Sequence, residues 1–205
     1  MTDHHKTSGT NPARVANDAF QRLVEIVAQL RGPDGCPWDK QQTPKSMIPY
    51  LLEETYEVVE AIEESDPDAL RGELGDLFFL VLLQVQMAKE SEKFQLSDVL
   101  NEISDKLIRR HPHVFQRGDG KKEHSVDEIL ENWERIKMSE GRDSRLDGVP
   151  KNMSGLLRAQ RIQEKAAQVG FDWDELEPVV AKLHEEIDEL LAAWQSENAE
   201  RVEEE

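Results

Sequence analysis

The sequence predicts an all-α helical bundle. Apolar residues recur at helical spacing along most of the 205 residues, Pro, Gly and capping residues cut that pattern into segments of helical length, and no stretch reads as a strand.

Residues 13–31 form an amphipathic helix, with Phe20, Leu23, Val24, Ile26, Val27 and Leu30 inward. "RGPDGCPWDKQQTP" then reads as a Gly/Pro-rich loop carrying Trp38. A second helix covers 44–65, with Thr43 placed to cap it. "SDPDAL" restarts the chain, Asp66 suiting an N-cap and Pro67 the first helical position. The third helix runs to about Glu90; Leu77–Leu83 in it is unbroken apolar sequence, which marks a central element. Ser97 opens a fourth helix that Pro112 stops. Ser125 and Glu128 have capping-box spacing before a fifth, "ILENWERIK". A polar linker covers 140–152, and two further helices are expected over 153–168 and about 174–198.

Composition narrows the function. Aromatic residues are 6% of the chain, so the core is mostly aliphatic, and the formal net charge of −18 repels phosphate backbones and anionic lipid. Neither nucleic acid nor membrane is therefore expected as a partner, and a small anionic ligand needs a metal or a local basic patch. Cys36 is the single cysteine, which excludes an intrachain disulfide and suits a reducing compartment. "MTDHHKTSGTNPA" lacks an apolar core and reads as a disordered lead over 1–12, not a signal peptide. The apolar run is far short of the roughly 20 residues that span a bilayer. A cytoplasmic protein is expected.

Glu73 and Asp76 stand at the mouth of the apolar run, with Gly72 and Gly75 beside them. At about 100° per residue they share a side with Leu80, Leu83 and Met87. Acidic pairs on helices are usually solvated, but this side continues apolar, and a buried carboxylate needs a cation. In "LLEETYEVVEAIEE", Leu51, Leu52, Val58, Val59 and Ile62 form the apolar stripe. Glu53, Glu60, Glu63 and Glu64 read as solvated charge; Glu54 borders the stripe, and Glu57 lies one turn along. An antiparallel pair of helices brings Glu54 and Glu57 to Glu73 and Asp76. Four carboxylates in one pocket repel one another unless a hard divalent cation joins them, and all-oxygen ligands point to Mg²⁺, with Mn²⁺ as a substitute. Each glycine costs about 1 kcal/mol of helix propensity and lets a backbone or a ligand come close.

At "EETYE" and "GELGD" the chain resembles the MazG family of nucleoside triphosphate pyrophosphohydrolases. The family's ExxE–spacer–ExxD pattern falls on Glu54, Glu57, Glu73 and Asp76. "LRGPDGCPWDKQQT", "ISDKLIRRHPHVF", "ENWERIK" and "QRIQEKAAQVGFDW" extend the likeness over roughly residues 15–205. The resemblance implies a dimeric or larger all-α bundle that cleaves a nucleoside triphosphate to the monophosphate and pyrophosphate. The four carboxylates then hold Mg²⁺, and water attacks the α-phosphorus. A non-ligating glutamate or one of the ligands takes the water's proton; Glu53 is the nearest spare candidate. The family's Lys/Arg and Trp/Lys pairs fall on Lys106 with Arg110 and on Trp133 with Lys137, as phosphate and base contacts. Taken alone, those basic residues equally suit the end of a helix dipole, and Trp133 a core.

The motif recurs in "HEEIDELL", which places Glu186 and Glu189 where Glu54 and Glu57 stand first; Trp173 echoes Trp38. Glu205 falls where the third ligand of a second copy is expected, so 153–205 reads as the start of an incomplete second repeat after a domain over 13–139. Residues 174–205 are expected to be mobile for want of a packing partner. Two alternatives to the enzyme remain: a catalytically silent dimerisation or partner-binding module, and a ferritin-like di-iron bundle. The latter is disfavoured because no Glu-x-x-His pair is present among these acids.

Overall fold

The structure, a computed structural model, describes residues 11–115, 125–141, 144, 146–173 and 175–195. Of the lead expected over 1–12, residues 1–10 lie outside them, as do 196–205 with Glu205, while Asn11 caps the first helix and Pro12 opens it. Among the described residues every regular element is a helix: α1 Pro12–Arg31, α2 Pro37–Gln41, α3 Ile48–Glu63, α4 Pro67–Glu90, α5 Leu96–Arg110, α6 Pro112–Phe115, α7 Val126–Ser139, α8 Gly155–Ala167 and α9 Leu176–Gln195. None is long and apolar enough to cross a membrane. The helices group into two compact units, Met1–Arg109 and Arg110–Glu205.

In the first unit α3 packs along α4, and α1 closes on α4. The core is Val27, Met47, Leu80, Leu82, Leu83 and Met87, with Phe20, Leu23, Val24, Leu51, Phe79 and Leu96 against it. Leu80, Leu82, Leu83, Val85, Met87 and Ala88 are all buried, so α4 is the central helix its apolar run predicts.

The turn between α3 and α4 is built from backbone bonds. Asp66 N donates to Ala61 O and Ser65 N to Ile62 O, both at 3.1 Å, while Ser65 takes a left-handed φ of 58°. Asp66 Oδ1 then accepts from Asp68 N at 2.9 Å and Ala69 N at 3.0 Å, and Pro67 opens α4 as expected.

Several boundaries differ from expectation. "PWDKQ" is a short helix, too brief to show periodicity. Thr43 does not cap α3. Its hydroxyl accepts from Ser46 N at 3.1 Å and so closes the turn before the helix. Pro49 decides this: it is tolerated only in a first turn, so α3 begins at Ile48. Ser97 is inside α5 rather than ahead of it, and Asp98 Oδ2 accepts from Gln95 N at 2.9 Å. The Ser125–Glu128 capping box is present in full. Ile26 is exposed, as are Leu52, Val59 and Ile62. Neighbouring residues project about 100° apart, so Leu51 and Leu52, or Val58 and Val59, cannot both face α4.

Arg31 ties the Gly/Pro loop to this frame. Its side chain is 9% exposed, with Nε and Nη2 on the Glu90 carboxylate at 2.7–3.0 Å and Nη1 on the carbonyls of Asp39 and Gln42. The guanidinium holds the Glu90 carboxyl below its ordinary value.

Candidate metal centre

The three-residue spacing within each acidic pair puts both members on one face of a helix, and the turn at Ser65 and Asp66 returns α4 along α3. Glu54, Glu57 and Glu73 then meet: each offers one carboxylate oxygen, and these lie within 4.8 Å of one another. Glu54 and Glu73 are half-buried and Glu57 is exposed. Asp76 is exposed and does not join that set, yet its charge acts on both Glu54 and Glu73. Glu53 is exposed, and its charge is the weakest of those acting on Glu54.

Burial and mutual repulsion both act on these carboxyls. Burial raises the Glu54 carboxyl above 4.5, and the charges of Glu57, Asp76, Glu73 and Glu53 add to it. Burial likewise raises Glu73, followed by Glu57, Asp76 and a hydrogen bond with the Glu57 side chain. Among the described residues no basic side chain pairs with these acids. Glu54 Oε2 is shielded from solvent and has no hydrogen-bond partner. An orphaned carboxylate oxygen beside two converging carboxylates fits a hard divalent cation.

A pH dependence follows for the metal-free chain. A carboxyl raised by folding stabilises the fold fully below 4.5, and that stability is lost as pH rises through the raised value. Thermal melts without metal are therefore expected to show Glu54→Gln gaining on wild type as pH rises above 4.5. Equal differences at every pH refute it.

Of the two expectations for Gly72 and Gly75, approach of a backbone or of a ligand, no backbone comes close. A Cβ at either would meet nothing within 4 Å, so the space beside them is open.

The remaining expected site residues are divided between the units. Lys106 is half-buried on α5. In the second unit Arg110 pairs with Glu140, and Lys137 pairs with Glu134 while its Nζ lies 4.6 Å from the centre of the Trp133 ring. The His111 ring is 5.8 Å from Trp133, and the Trp133 Nε1 is shielded from solvent without an acceptor among the described residues. Sequence reading missed Glu134 and Glu140; the three-residue spacing of Glu134 and Lys137 was the available signal for one pair. On α9, Glu186 is paired with Lys182 at 2.9 Å, and Glu186 and Glu189 are exposed.

Residues 42–115 match the family model described as the MazG nucleotide pyrophosphohydrolase domain. The chain is 52% identical over 177 residues to the nucleoside triphosphate pyrophosphohydrolase of Escherichia coli K12, covering 84% of this chain and 66% of that protein. It is 44% identical over 177 residues to the nucleoside triphosphate pyrophosphohydrolase/pyrophosphatase MazG of Thermotoga maritima, covering 85% of this chain and 67% of that protein. A solved mazG-related protein from Thermotoga maritima overlays with a TM-score of 0.49 at 28% identity, covering 58% of this chain and 98% of that one. The chain thus spans about two thirds of the length of the curated relatives it matches, and it belongs to the MazG family.

Proposed function

We propose that this chain hydrolyses nucleoside triphosphates to the monophosphate and pyrophosphate, with Mg²⁺ as the resident cation and Mn²⁺ able to replace it. The observation that carries this reading is the convergence of Glu54, Glu57 and Glu73 around an orphaned Glu54 oxygen, in a chain whose relatives bear that activity in their names.

Glu54, Glu57, Glu73 and Asp76 hold the cation. When bound, it neutralises triphosphate charge and lowers the pKa of a bound water. Glu53, one residue from the ligand Glu54 and exposed, accepts the water's proton. The water oxygen bonds to the α-phosphorus as the bond from that phosphorus to the bridging oxygen breaks, and pyrophosphate leaves. Lys106, Arg110 and Lys137 contact phosphate, and Trp133 the base. The chain acts as a cytoplasmic homodimer or larger homo-oligomer and binds neither nucleic acid nor membrane. Its exposed Leu52, Tyr56 and Ile62 on α3, and the net charge of −18, support this. Residues 153–205 are the beginning of a second repeat.

The test is a panel of nucleoside triphosphates with Mg²⁺, following pyrophosphate and monophosphate together. Equimolar products that vanish in Asp76→Ala are expected. Release of single phosphate, or undiminished turnover in that variant, overturns the reading.

A further inference from the structure

We propose that Glu134 and Glu140 stand in for phosphate oxygens: they hold Lys137 and Arg110 until an anionic polyphosphate displaces them. This rests on the reading of Arg110 and Lys137 as phosphate contacts.

The two pairs differ from the chain's other described ion pairs. Arg14–Asp18 and Arg71–Asp68 are open to solvent, each side chain at least 70% exposed. Arg110 and Glu140 are 16% and 20% exposed, and Lys137 and Glu134 are 17% and 19% exposed. Arg31–Glu90 is also shielded, but Arg31 additionally binds two backbone carbonyls, which gives it a structural task. Arg110 instead turns Nε and Nη2 onto one carboxylate oxygen, Glu140 Oε2. A phosphate oxygen accepts the same fork.

One donor beside Lys137 lacks an acceptor among the described residues. Trp133 lies under the Lys137 ammonium, and its shielded indole N–H can only donate, yet it has no acceptor among the described residues. A cation held by a carboxylate with a donor left over beside it suits an incoming oxyanion. In a chain of net charge −18, half-buried cations must also be neutralised when no ligand is bound. The carboxylates do this, but they make binding a displacement. Apparent affinity falls with the fraction of time the cations are released.

Glutamine keeps the shape of the glutamate and removes its charge. Glu140→Gln and Glu134→Gln are each expected to bind an α,β-methylene nucleoside triphosphate about three- to tenfold more tightly than wild type. The measurement is calorimetry on the full chain with Mg²⁺, with helicity checked by circular dichroism. Arg110→Gln and Lys137→Met are expected to weaken the same binding. A merely structural pair predicts weaker or unchanged binding on losing its carboxylate. If the cation variants lose affinity while both glutamate variants bind as wild type or worse, the displacement is refuted and the phosphate contacts stand. If the cation variants bind as wild type, the phosphate reading itself fails, and this inference with it. The two glutamates belong to separate pairs, so misfolding of one variant leaves the other decisive.

Discussion

Glu54→Gln is expected to lower turnover about a thousandfold while leaving the metal-free first unit at least as stable as wild type. The loss follows from the role of the group. Polarisation by a bound cation supplies several kcal/mol of transition-state stabilisation, and each 1.36 kcal/mol is about tenfold in rate. Glutamine keeps the volume of the side chain but offers the cation a neutral oxygen. The stability result follows from electrostatics. Glu54 is half-buried, its Oε2 has no partner, and four neighbouring carboxylates push its proton affinity up. Removing that charge relieves the repulsion. Turnover is read with saturating Mg²⁺, and stability by urea denaturation in chelator. A variant that is both inactive and markedly less stable without metal would mean that Glu54 holds the fold through an unseen contact, and the metal assignment would fall.

The acids that meet were legible because of their spacing. A pair three apart on each of two helices joined by a tight turn has few other places to go, and Glu54, Glu57 and Glu73 converge accordingly. Asp76 carries the same sequence signal but lies outside the converging set. What a helical wheel cannot supply is the radial depth of a helix: Glu73 is half-buried and Asp76 exposed on the side that becomes core at Leu80.

Start signals made of one residue and its own backbone were readable, as at Asp66–Pro67 and at the Ser125–Glu128 box. Thr43 was misjudged because a competing constraint six residues on, Pro49, sets where α3 begins. The Arg110–Glu140 pair was invisible for another reason. Its partners are thirty residues apart on different elements, and no local pattern reports a contact of that range.

Leu83→Ala carries the largest expected loss of stability, about 2–5 kcal/mol. Leu83 is fully buried in a core that includes Val27 of α1 and Met47 just ahead of α3. Removing three heavy atoms there leaves a cavity that three packed segments would have to collapse to fill. Against a total of about 5–15 kcal/mol for a typical domain, the variant stands close to unfolding. Its side chain is seven residues beyond Asp76, two helical turns along the same side of α4, so the packing that fails is the packing that presents the acids. Activity should therefore be lost through population rather than chemistry. Mg²⁺ with a bound nucleotide should restore both the urea midpoint and part of the turnover, because a ligand that binds only the folded chain stabilises it by mass action. Glu54→Gln should show the opposite pattern, a sound fold that Mg²⁺ does little to stabilise further. Should ligand fail to shift the Leu83→Ala midpoint while shifting that of wild type, α4 would not couple the core to the acids, and the frame proposed for the site would be wrong.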